Sequence, residues 1–108
     1  MKQAVFMSFD LGVSGDYEGL YRWLDALNAR ECGDSVAFFF FEARRDLPSE
    51  IQASLKKSVK LDSRTRIYAI FIGDDKKMKG RFLFGRRKAS PWTGFAPNKI
   101  AEEDEDVA

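Results

Sequence analysis

Apolar residues along this chain fall into runs whose spacing switches between the period of a strand and that of a helix. Ala4-Val5-Phe6-Met7-Ser8-Phe9 is rich in strand formers. It stops at Asp10-Leu11-Gly12-Val13-Ser14-Gly15-Asp16, where two glycines and two carboxylates mark a loop. Beyond it, Tyr17, Leu20, Tyr21, Leu24 and Leu27 recur at three- and four-residue spacing. That spacing lays one apolar stripe along a helix running to about Asn28, with Ser14 or Asp16 able to cap its first amides.

The pattern breaks at Cys32-Gly33-Asp34, and residues 35 to 41 follow as a segment that is apolar without a break from Val36 to Phe41. Its length and aromatic content favour a strand buried on both faces, with Arg30-Glu31-Cys32 a candidate short strand before it. Asp46-Leu47-Pro48-Ser49-Glu50 reads as a helix start, since proline is tolerated in a first turn, and Leu47, Ile51, Leu55 and Val59 make a narrow stripe behind it. Asp62-Ser63 turns the chain into Arg66-Ile67-Tyr68-Ala69-Ile70-Phe71-Ile72, a β-branched and aromatic run closed by Gly73. After the polar turn Asp74-Asp75-Lys76-Lys77, the stretch Lys79-Gly80-Arg81-Phe82-Leu83-Phe84-Gly85 suits an added edge strand. Arg86-Arg87-Lys88 beside it discourages edge-to-edge association.

Strand, helix, strand or hairpin, helix, strand is the order of an α+β, ferredoxin-like βαββαβ sandwich, here with an additional C-terminal edge strand. One domain over residues 1–96, with an extension from 74, is expected. Residues 97–108 contain five consecutive acids from Glu102 to Asp106 and read as a disordered tail. With both helices on one sheet face, the rings of residues 38 to 41 require cover on the other. Either the segment Ser90-Pro91-Trp92-Thr93-Gly94-Phe95 or a second copy of the chain supplies it, and a symmetric homodimer is the favoured expectation.

Composition narrows the chemistry. In 108 residues, 44% are hydrophobic, enough for one core and too few residues for two typical domains. The longest apolar run is far shorter than the roughly 20 residues of a membrane span. No signal-peptide pattern opens the chain, so a cytoplasmic location without membrane partners is expected. There is no histidine, which removes the usual zinc sites and Ser-His or Cys-His catalysis. The single Cys32 is expected as a small buried hydrophobe. Net charge is only +1, but its distribution is uneven: residues 1–42 carry −4, residues 43–88 carry +9 and residues 89–108 carry −4. Such asymmetry bears on partners more than on fold.

The stretch Phe9-Asp10-Leu11-Gly12-Val13-Ser14-Gly15-Asp16-Tyr17-Glu18-Gly19-Leu20 resembles the opening of CRISPR-associated protein 2 and its small stand-alone relatives. In that family a strand ending in aromatic-Asp-Leu leads through a Gly-containing loop to Asp-Tyr and a helix. The likeness extends in element order over residues 3–73, and residues 74–108 lie outside it. It implies a ferredoxin-like homodimer associated with nucleic acid, acting either as a metal-dependent nuclease or as an architectural subunit. It also places Asp10 at the family's catalytic and metal-binding carboxylate, where two symmetry-related side chains would share one Mg²⁺ that polarises a phosphate. On its residues alone, Asp10 reads first as an Asx turn, a common use of aspartate after a strand.

The basic middle supplies candidate DNA or RNA contacts: Arg44, Arg45, Lys56, Lys57, Lys60, Arg64, Arg66, Lys76, Lys77, Lys79, Arg81, Arg86, Arg87 and Lys88. Against them stands the reading of an ordinary solvated surface. Residues 79–84 have a likeness to the aromatic strand of RNA-recognition motifs, whose rings stack on bases. That strand lies before the second helix in the motif and after it here, so core or dimer packing is the expectation for these rings. Trp92 and Phe95 are candidates for binding a protein partner or anchoring the extension. The rival to nucleic-acid binding is a non-enzymatic protein-interaction module, for example in a defence or counter-defence system.

Overall fold

The computed structural model describes residues 2–97. Its elements are β1 (Lys2–Asp10), α1 (Tyr17–Ala26), β2 (Arg30–Glu31), β3 (Val36–Glu42), α2 (Leu47–Ser58), β4 (Arg66–Ile72) and β5 (Met78–Phe84). The five strands form one antiparallel sheet in the order β2-β3-β1-β4-β5.

Alternation along the strands decides what each face does. On β1, Val5, Met7 and Phe9 are buried, and they lie beside Phe39 and Ala37 of β3 and Phe71, Ala69 and Ile67 of β4. Leu20, Trp23 and Leu24 of α1 and Leu47, Ile51 and Leu55 of α2 close over these residues to make one core. Both helices therefore cover the same face. The alternate positions Ala4, Phe6, Ser8 and Asp10 point to the other face, together with Phe38, Phe40, Arg66, Tyr68, Ile70, Ile72, Met78, Gly80 and Phe82.

Carboxylates fix the helix starts. Asp16 accepts from the Gly19 amide at 2.9 Å and, through its other oxygen, from the Lys60 amide at 2.9 Å. It thus caps α1 and pins the chain leaving α2 beside it. Asp46 caps α2 through the Ser49 amide at 3.1 Å, while Glu50 reaches back to the amides of Arg44 and Arg45. These bonds hold the carboxyls of Asp16, Asp46 and Glu50 below their ordinary values; the Lys60 amide is the main cause for Asp16, the Ser49 side chain for Asp46 and the Arg44 amide for Glu50.

Four sequence expectations change. Residues 38–41 are not buried on both faces in the single chain: Phe39 is 1% exposed, but Phe40 is 53% exposed, because both helices lie on one side. In α1 the core ring is Trp23, and Tyr21 is exposed. Trp23 meets Phe39 edge-on at 5.4 Å and donates its indole N–H to Ser54 Oγ at 2.8 Å, a tertiary partnership that helical spacing alone does not reveal. Cys32 is exposed rather than buried, because it sits in the tight β2–β3 connection, where its amide bonds the Val36 carbonyl. Trp92 and Phe95 are exposed in successive turns and do not anchor the extension to the domain. Most of the acidic tail lies outside the described residues. No helix among those described is long and apolar enough to cross a membrane.

Candidate nucleic-acid interface

The end of the sheet where β1 finishes and β4 begins gathers cations that are distant in sequence. Asp10 pairs with Arg66 across β1 and β4, and Ser8 with Tyr68. Across β4 and β5, Tyr68 stands opposite Phe82. Ser8, Asp10, Arg66, Tyr68, Phe82 and Arg87 line a cleft of about 290 Å³ on the open sheet face. It continues into a larger depression of about 550 Å³, whose charged lining is Asp10, Arg64, Arg66, Arg86, Arg87 and Lys88.

Local structure explains why those side chains meet. The turn before β4 is closed by Asp62, whose carboxylate accepts from the Arg64 amide at 2.8 Å and whose own amide donates to Thr65 Oγ1 at 3.1 Å. Thr65 is buried, so Arg64 and Arg66 leave the turn from a fixed base. After β5 the chain bends at Gly85, which has φ +79° and would place a Cβ only 2.7 Å from the Thr65 carbonyl oxygen. Glycine is required there. Because β5 runs antiparallel to β4, residues 86–88 continue alongside the start of β4, where Arg66 Nε donates to the Arg86 carbonyl at 3.2 Å. Guanidiniums then lie over the rings: Arg66 sits 5.6 Å from the Phe82 centroid, and Arg87 sits 5.6 Å from Phe82 and 5.9 Å from Tyr68.

Topology divides the expected phosphate contacts. Arg64, Arg66, Arg86, Arg87 and Lys88 converge on the cleft. Lys79 and Arg81 have the opposite parity on β5 from Gly80 and Phe82, so they leave the sheet on the helix-covered side. Lys79 pairs there with Asp75 at 3.4 Å, and Arg81 acts electrostatically on Asp46. Arg44 and Arg45 flank the start of α2, and Lys76 and Lys77 lie in the β4–β5 connection at the far end of the sheet. Lys56, Lys57 and Lys60 are exposed at the α2 C-terminus, which Asp16 ties to the Asp10 end of the domain on its helical side. Tyr68 and Ser8 were absent from the sequence candidates. Strand parity was the signal for both, since each is two positions from a charged cleft residue.

Asp10 keeps its turn role, accepting from the Gly12 amide at 3.0 Å. Among the described residues of one chain, its carboxylate is the sole anion in a lining that holds Arg64, Arg66, Arg86, Arg87 and Lys88. Mg²⁺ is held by one or two carboxylates with waters or substrate phosphates and is repelled by guanidiniums, so one chain offers it a single carboxylate in a setting that disfavours a cation. Among the described residues, no three potential ligands cluster elsewhere. The groups present instead suit an anion beside aromatic surface. No protein-family model, curated protein or solved structure matches the chain.

Proposed function

We propose that this protein binds nucleic acid in an architectural rather than a cleaving role, through the cationic end of its open sheet face. The carrying observation is the convergence of Arg64, Arg66, Arg86, Arg87 and Lys88 on one cleft beside two aromatic rings. Each phosphate neutralised releases counterions, so affinity should fall steeply as salt rises. The order β2-β3-β1-β4 with both helices on one face supports a ferredoxin-like reading, with β5 added at the edge. This is the fold implied by the likeness of residues 9–20 to CRISPR-associated protein 2. Titration of a labelled oligonucleotide at several salt concentrations tests the function. In an Arg66→Ala, Arg86→Ala double variant the slope of log affinity against log salt should fall by about 2. Undetectable binding at low salt, or binding indifferent to salt, rejects the reading.

The rest of the open face supports a homodimer. Phe6, Phe40, Ile70, Ile72 and Met78 form an exposed apolar surface beside the cleft, and an isologous pairing would bury it while leaving the cationic end free. Exposed Trp92 and Phe95 favour a second reading, in which these two rings dock a different protein. The mass of the purified protein in solution separates the two.

A further inference from the structure

Phosphate binding accounts for the arginines of the cleft but not for its rings. Tyr68 and Phe82 stand directly opposite on β4 and β5, with centroids 4.8 Å apart and planes at 71°. Both are half-buried, on the sheet face that no helix covers. The Tyr68 ring also extends over the neighbouring edge-strand residue, Gly80, where a Cβ would fall 2.1 Å from the phenolic oxygen and 2.7 Å from Cζ. Gly80 is therefore what allows the ring to lie against β5. Aromatic cover of an edge glycine stabilises a strand pair. It explains the position of Tyr68, but not why a second ring and two guanidiniums join it.

The cation–π distances of 5.6–5.9 Å stand near the outer limit of such contacts, roughly 6 Å. Little attraction is lost if the guanidinium moves away from the ring, and a nucleobase offers both partners a flat surface to stack on. Rings that take bases beside cations that take phosphates form the arrangement by which proteins hold single strands. Duplex bases are already stacked and present only their edges in the grooves, so these rings can reach them only after unpairing.

Resting on the nucleic-acid reading above, we infer that the cleft takes an unpaired nucleotide of single-stranded DNA or RNA. Its base lies against Tyr68 and Phe82, and its phosphates lie toward Arg64, Arg86 and Lys88. Phe82 belongs to the segment that resembles the aromatic strand of RNA-recognition motifs. Here the ring pair comes from β4 and the added edge strand β5.

Fluorescence anisotropy with labelled oligothymidylate and oligouridylate, each about twenty residues long, and a duplex of the same length tests this, since single-strand sites cover about 4–16 nucleotides. Single strands of either sugar should bind at least about tenfold more tightly than the duplex at matched salt. Tyr68→Leu and Phe82→Leu should each weaken single-strand binding by about 5- to 100-fold with the salt slope unchanged, and Phe82→Tyr should restore it. Arg86→Ala should instead lower the slope by about 1. Circular dichroism on each variant keeps a folding defect from passing as a binding defect. Ring variants that bind single strands like the wild type, or a duplex bound as tightly as the single strands, would overturn the inference while leaving salt-dependent nucleic-acid binding intact. Absence of binding to all three probes removes both readings together.

Discussion

The two faces of the sheet are built from interleaved residues of the same strands, yet they answer to different demands. On the helical face β1, β3, β4 and β5 contribute side chains that are nearly or wholly inaccessible, and the bonds that frame it include the helix caps, an indole–hydroxyl contact and the Gln52 amide donating to the Leu83 carbonyl. On the open face, rings and aliphatic chains of comparable size remain in water: Phe6 is 46% exposed and Ile72 50%. That face is also graded, apolar around Phe6, Phe40 and Ile70 and cationic around Tyr68 and Phe82. Stability is concentrated on one side, and the other retains apolar area that folding alone does not use.

Adjacent phenylalanines on β3 give the sharpest test of that division. Phe39→Ala should lower the unfolding free energy by about 3–5 kcal/mol, because it opens a cavity beside Trp23. Phe40→Ala, measured at concentrations too low for self-association, should cost under about 1 kcal/mol, since that ring is half in water already. Urea midpoints compare the two, and equal losses would mean that the open face is packed after all. At higher concentration the ranking should shift toward assembly. For the proposed homodimer, Phe40→Lys should raise the dissociation constant at least about tenfold in sedimentation experiments, while far-ultraviolet circular dichroism stays unchanged.

The helical face should also carry an acid sensitivity. Asp16 is held below its ordinary carboxyl value, first by the Lys60 amide and then by Gly19. Its folded pKa is therefore lower than its unfolded one. The stabilisation is present above about pH 4 and is lost as pH falls through the folded value. Asp16→Asn should unfold at lower temperature than the wild type near neutrality, and the gap should close toward pH 2. A gap independent of pH would show that charge plays no part in the cap.

How much of this was legible depended on whether one strand or several decided the outcome. β4 was readable to its ends, because a β-branched run bounded by Gly73 has no helical alternative, and the α2 stripe of Leu47, Ile51, Leu55 and Val59 is buried as its spacing implied. Tyr21 and Trp23 fit the α1 periodicity almost equally, and only Phe39 and Ser54, from other elements, select the tryptophan. The cleft was harder to foresee. Fourteen cations between residues 43 and 88 look equivalent in sequence. Parity on β5 turns Lys79 and Arg81 away from it, while the antiparallel course of β5 along β4 brings Arg86 and Arg87 back to Arg66. That return spans a whole hairpin, so no local window contains it.

The smallest effect concerns the carboxylate at the centre of the cleft. Asp10 gives Gly12 one turn bond and adds the only negative charge, among the described residues, to a lining of five cations. In Asp10→Asn the amide oxygen can still accept from Gly12, and the repulsion toward a phosphate is gone. Affinity for an oligonucleotide at low salt should therefore stay equal or rise by up to about fivefold, the range of an exposed charge pair. The gain should shrink as salt screens the cleft. A large loss would mean that the carboxylate supports the bound state, by holding either the loop or a cation. Repeating the titration with Mg²⁺ and with EDTA tells these apart: a loop defect weakens binding equally in both, whereas a cation role confines the loss to Mg²⁺.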